Sequence, residues 1–200
     1  KRTAELLDLR AGILRERERY TEADSLERLA IAMAQRVGLD PSLDLAIYYN
    51  NLALSYHQQG RRLDATPLYR EAVEMLVDAE GEAHPYVATM RHNLAALYRD
   101  LLILDESEDL FRTMVAQERR LYPGDHPNLA ASLSNLGLTL KERGRYAEGL
   151  ALQDSAVAMM ARVHGADHPN TLYRQRIQVL ALTQAARRAD GEAGARELLA

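Results

Sequence analysis

Apolar positions along this chain recur at helical spacing, and the helices themselves recur. Leu52, Leu94 and Leu136 stand at one constant interval, and four positions on come Tyr56, Tyr98, Leu140 and Leu182. A spacing of four places both columns on one helix face. Further columns at the same interval read Ala23, Ala65, Ser107 and Gly149, then Leu26, Leu68, Leu110 and Leu152, then Ala30, Ala72, Met114 and Ala156. The small column lets two helices approach closely, and the large ones fill the space beside it. The pattern predicts first helices over 42–59, 85–101, 127–143 and 169–186, and second helices over 62–79, 104–121 and 146–164. An earlier pair spans 2–17 and 20–37, with Tyr20 in the column of Tyr146. The last unit decays, because Gly191 and Gly194 interrupt a short second helix near 192–199.

Turn residues punctuate the same register. His84-Pro85, His126-Pro127 and His168-Pro169 recur once per repeat, as do Asn51-Leu52, Asn93-Leu94 and Asn135-Leu136. Proline fits a first helical turn, where its missing N–H is not needed. Gly60 and Gly144 share a column between the two helices of a unit, where glycine supplies a left-handed cap at little steric cost. A period of about 42 residues with helical spacing inside it predicts an all-α fold, an α-solenoid of antiparallel helix pairs. The expected organisation is one array over 1–200, with full units at 2–37, 42–79, 85–121 and 127–164 and a degenerate unit at 169–199. Such an array presents a surface and does not usually enclose a reactive centre.

Composition narrows the function classes. An apolar fraction of 47% suffices for a continuous core, while a net charge of −4 with pI near 5.9 carries no footprint for nucleic acid. No run of about 20 apolar residues is present to span a membrane. The absence of cysteine removes disulfides, thiol nucleophiles and thiolate metal sites, and fits a cytoplasmic setting. Arginine carries nearly all the positive charge, since the lysines are Lys1 and Lys141 alone, a bias that fits a GC-rich bacterial source. The chain opens on Lys1 directly in helical sequence, so a fragment of a longer protein is expected.

Chemistry-bearing clusters have structural readings. His84, His126 and His168 lie one repeat apart, and helices pack at about 8–10 Å spacing. Zinc needs its ligand nitrogens about 2.0–2.1 Å from one ion, so loop closure fits the histidines better. Asp105, Glu106, Glu108 and Asp109 open a helix, where the dipole favours negative charge. No phosphate loop, nucleophile elbow or His-Glu-x-x-His pattern is present. No cofactor, metal or enzymatic activity is expected.

These columns resemble tetratricopeptide repeats, in the longer form typical of kinesin light chains and many bacterial relatives. The clearest stretch is residues 126–169, with His126-Pro127, Asn135-Leu136-Gly137 and Gly144-Arg145-Tyr146 in register. The resemblance covers roughly residues 5–186 and implies a right-handed superhelix. It implies a ligand groove lined by first-helix positions: Ile47, Asn50, Leu54 and His57; Thr89, His92 and Arg99; Ser134, Leu138 and Lys141; Tyr173 and Arg176. Asn51, Asn93 and Asn135 either line that groove or, as favoured directly before a packed leucine, bond to neighbouring structure. The implied ligand is a protein segment, apolar with some acidic character. The carboxylate clamp of chaperone-binding relatives is not expected, because Leu54, Ala96 and Leu138 fill its Asn column.

Departures from the repeat set the second full unit apart. Leu102 stands where Gly60 and Gly144 do, inside Leu101-Leu102-Ile103-Leu104. Leucine in a left-handed cap is unfavourable, so this turn is expected to differ from its siblings. Its apolar residues are read either as an interface, to a second copy or to the remainder of a longer chain, or as folded onto their own unit. The leading expectation is a protein-interaction module, the alternatives being a sensor arm of a larger bacterial signalling ATPase or protease, and a self-associating scaffold.

Overall fold

In the computed structural model, which describes residues 2–39, 41–82, 84–180 and 182–183, every regular element among them is helical. The order is α1 (Arg2–Glu16), α2 (Tyr20–Arg36), α3 (Leu43–Gln58), α4 (Arg62–Glu80), α5 (Pro85–Asp100), α6 (Leu104–Leu121), α7 (Pro127–Glu142) and α8 (Tyr146–His164). Residues 169–180 are helical as well. The three expected first helices that lie wholly within the described residues each end one residue early. The predicted helix near 192–199 lies outside the described residues. Described residues up to Leu101 form one compact unit, and those from Leu102 onward form a second.

In the first unit, α1 packs on α2 and α3 on α4, while α2 touches α3 and α4 touches α5. First helices also meet, α1 with α3 and α3 with α5, so they stand in a row. In the second unit α6 packs on α7 and α7 on α8.

The repeated His-Pro turns out to be a helix-start device. His84 and His126 are the N-caps of α5 and α7, with Pro85 and Pro127 at the first helical position. The Nδ1 of each imidazole accepts the backbone N–H two residues on: Tyr86 to His84 at 3.3 Å, Asn128 to His126 at 3.2 Å, Asn170 to His168 at 3.2 Å. That bond satisfies one of the four N–H groups a helix start leaves orphaned. It also assigns the ring proton to Nε2. Ser42 occupies the same column and does the same job, its Oγ accepting from the Leu45 N–H at 3.2 Å. Tyr122 and His164 stack on the His126 and His168 rings at centroid distances of 3.5 and 4.6 Å.

The turn inside each unit is the same in all four cases, contrary to the expectation for the leucine-rich one. Glu18, Gly60, Leu102 and Gly144 share a column and adopt φ of 58°, 76°, 60° and 81°. Gly60 and Gly144 donate to the carbonyls of His57 and Lys141, both at 2.9 Å, and Arg61 and Arg145 to those of Tyr56 and Leu140 at 2.9 Å. The N–H groups closing α5 reach the Leu97, Tyr98 and Arg99 carbonyls. Packing of the paired helices therefore imposes the left-handed residue on whatever side chain stands there, at about 1–2 kcal/mol for a non-glycine. Leu102 points outward at 69% exposure, while Leu101, Ile103 and Leu104 are half-buried.

In the small column Ala23, Ala65 and Ser107 are fully buried, and at Gly149 the backbones of α7 and α8 approach closely. Beside it runs a bulkier buried column not evident from residue class, Glu27, Tyr69, Phe111 and Gln153, each at most 2% exposed. Burying a side chain such as Phe111 contributes about 1.5–3 kcal/mol. The Leu26, Leu68, Leu110 and Leu152 column is only half-buried.

Candidate interaction surface

In the first unit the row of first helices carries the predicted residues of α3 and α5. Helical spacing sets Ile47, Leu54 and His57 along one side of α3, and Thr89, His92 and Arg99 occupy the equivalent side of α5. Thr89 is exposed, while Ile47, Leu54, His57, His92 and Arg99 are half-buried. Asn50 is buried at 9% exposure.

Side-chain bonds lock α3 to α5. Asn93 Nδ2 donates to Asn50 Oδ1 at 3.0 Å, and His57 Nε2 lies 3.0 Å from Asp100 Oδ2. His57 also presents its ring edge to Tyr69 at 6.4 Å between centroids. Asn51 ties α3 to α1, donating to Asp8 Oδ1 at 2.8 Å, and Arg15 pairs with Glu27 at 2.8 Å nearby. The asparagine column is thus engaged within the protein, Asn135 donating to the Ala131 carbonyl at 3.0 Å.

In the second unit Ser134 is buried at 2%, and Asn135, Leu138 and Lys141 are half-buried. Tyr173 and Arg176 are exposed. Cations on these helices stand beside carboxylates: Arg99 lies 3.7 Å from Asp100, and Lys141 4.0 Å from Glu142. The exposed rows are therefore mixed surfaces in which charge is partly neutralised and apolar side chains remain accessible.

Sequence reasoning missed two buried polar hubs. Asp24 accepts Ser55 Oγ at 2.5 Å and Gln59 Nε2 at 3.1 Å, with Arg61 at 3.6 Å. Glu108, two repeats further along the chain, binds Arg112 at 2.6 Å, Arg145 at 2.8 Å and Arg143 at 3.0 Å. Burial pushes the Glu108 carboxyl up, but Arg112 and Arg145 together hold it below the ordinary range. Glu118 shows the opposite balance: burial raises it, and the Ser132 hydroxyl only partly offsets this. The signal for the hubs was a doubled repeat, since the intervening unit has Thr66 at that column.

Among the described residues no helix is long and apolar enough to cross a membrane, and no three metal-ligating side chains cluster around one point. Paired helices with small-residue contacts and rows of first helices define an all-α helical-repeat module of the protein-interaction type. Sequence profiles of the tetratricopeptide repeat match residues 2–78, 44–112, 86–148 and 129–170, and the chain belongs to that family. No curated protein matches by sequence.

Solved structures are similar. One is a Podosopora anserina protein with kinesin-light-chain, nearly identical TPR-like repeats: 21% identity, TM-score 0.77, covering 94% of this chain and 90% of that one. Another is BtubC (BKLC) from P. vanneervenii: 27% identity, TM-score 0.74, covering 83% and 66%. A third is Rap protein complexed with competence and sporulation factor: 12% identity, TM-score 0.65, covering 80% and 43%.

Proposed function

We propose that the chain is a non-enzymatic module holding a peptide or partner helix along its first helices, the ligand being apolar with some acidic character. The observation that carries this reading is the locking of α3 to α5 through Asn50–Asn93 and His57–Asp100. It makes Ile47, Leu54, Thr89, His92 and Arg99 one preorganised surface, which lowers the ordering cost of binding. Leu138, Lys141, Tyr173 and Arg176 extend the same composition in the second unit. The Rap neighbour, complexed with competence and sporulation factor, supports a ligand-holding use of this fold. The absence of cysteine suits work in a reducing cytoplasm.

A crosslinking pull-down compares the wild type with Leu54→Ser, Arg99→Gln, Leu138→Ser combined. Loss of partners from the variant is expected. Recovery of the same partners by both would show that these helices are not the working surface.

The 69% exposure of Leu102 favours a second reading, in which the Leu101–Leu104 turn self-associates. Light scattering checks it. A wild-type dimer whose mass survives Leu102→Ser, Ile103→Ser would remove it.

A further inference from the structure

A cleft of about 520 Å³ opens among α2, α3 and α4, away from the exposed row of α3 and α5. Its apolar wall includes Ile31, Leu52, Leu63 and Leu68, and its charged lining is Arg28, Arg61 and Asp64. Leu63, at the rim, is 77% exposed. Pro67, also lining the cleft, lies inside α4. Having no N–H, it leaves the Leu63 carbonyl without its helical donor.

The two arginines flank Tyr56 differently. Arg61 lies 3.9 Å from the ring centroid and is committed to Asp64 at 2.8 Å. Arg28 donates to the Tyr56 hydroxyl and lies 5.7 Å from the same ring. Among the described residues Arg28 has no carboxylate partner.

The repeat supplies an internal comparison. Asp24, Arg28, Arg61 and Asp64 recur two repeats on as Glu108, Arg112, Arg145 and Glu148. There Arg112 pairs with Glu108 at 2.6 Å and with Glu148 at 3.0 Å, and Arg145 binds both acids. In the first unit each acid is one methylene shorter. Asp24 is taken by Ser55, Gln59 and Arg61, and Asp64 by Arg61. The same four columns carry two acids and two arginines each, but both arginines are paired in one unit and Arg28 is left out of the pairing in the other.

We infer that this cleft is a second docking site, for a protein segment carrying an aspartate or glutamate beside a bulky apolar residue. The segment's carboxylate takes Arg28 as Glu148 takes Arg112. Its apolar side chain packs between Leu63 and Ile31, and its backbone N–H can reach the Leu63 carbonyl. A charge-assisted pair strengthens the contact beyond a neutral hydrogen bond, and the apolar contact supplies the remaining affinity. The site is independent of the first-helix reading.

The test uses a displayed library of random dodecapeptides, panned against the wild-type chain and followed by fluorescence anisotropy on labelled synthetic hits. Hits with an acid next to Leu, Ile, Phe or Tyr are expected. Arg28→Gln should weaken them about ten-fold or more, as should amidation of the peptide acid, and the two losses should not add. Asp64→Glu, which keeps Arg28 but offers it a longer internal carboxylate, should weaken them too. Leu54→Ser should leave them unchanged. Circular dichroism of each variant separates lost binding from lost fold. A library yielding no acid-plus-apolar binder, or binding that survives Arg28→Gln in a folded variant, or binding lost only on Leu54→Ser, overturns the assignment.

Discussion

Gly137 and Gly149 approach so closely that a Cβ added to Gly137 would stand 2.6 Å from the Gly149 carbonyl oxygen, and one on Gly149 2.5 Å from that of Gly137. The two glycines face each other across the α7–α8 pair. Neither atom can yield, because both belong to helix backbone. Gly149→Ala is therefore expected to destabilise by roughly 2–3 kcal/mol, although alanine is the better helix former by about 1 kcal/mol. Gly12 is the control: in α1 its added Cβ meets only Arg15 Nη2 at 3.9 Å. Gly12→Ala should stabilise by about 0.5–1 kcal/mol. Urea midpoints that move the same way for both would show that propensity, not contact, governs these sites.

The exposed Leu102 occupies a left-handed position at φ 60°. Leu102→Gly removes steric strain worth about 1–2 kcal/mol and adds chain entropy worth about 0.5–1 kcal/mol, for a net gain of about 0.5–1 kcal/mol. The gain should appear in thermal unfolding of a monomeric sample. A loss of stability on Leu102→Gly would mean that the leucine is covered in solution, as the interface reading requires.

His126 caps α7 through Nδ1 and stacks on Tyr122. His126→Ala should cost about 1 kcal/mol from the cap alone. His126→Ser should recover part of it, as Ser42 does at the start of α3, but not the ring contact. Equal losses for alanine and serine would show that the stack matters and the cap does not.

What the residues reveal follows from what repeats with their chemistry intact. Ala23, Ala65, Ser107 and Gly149 are all small and buried, and at Gly149 an added Cβ would strike the facing helix backbone, so that column is visible in the sequence. Glu27, Tyr69, Phe111 and Gln153 share one buried depth but no chemical class, so their column is not. Leu102 misled for a related reason: register and packing, not the side chain, set its backbone. The surface positions were placed by helical spacing, which gives direction and not depth. One column thus holds buried Asn50 and Ser134, half-buried His92 and exposed Arg176. Arg28 carried no sign at all, because its openness depends on acids one methylene too short.

Glu27 runs against the usual behaviour of a carboxylate beside an arginine. The side chain is fully buried between α1 and its neighbours, and Oε2 has no hydrogen-bond partner. Burial raises its pKa most, the Asp8 charge adds to that, and Arg15 at 2.8 Å only partly opposes both, leaving it at about 9 instead of the usual 4.5. The folded state then keeps a proton that the unfolded chain releases above about pH 4.5. Stability from the neutral carboxyl is fully present below that pH and is lost progressively as pH rises toward 9. The slope is at most about 1.4 kcal/mol per pH unit. Glu27→Gln keeps the shape without the titration, so its stability should change less than the wild type's between pH 5 and pH 9. Urea unfolding of both proteins across that range decides the matter. Parallel curves would mean that Arg15 holds Glu27 charged in the folded protein.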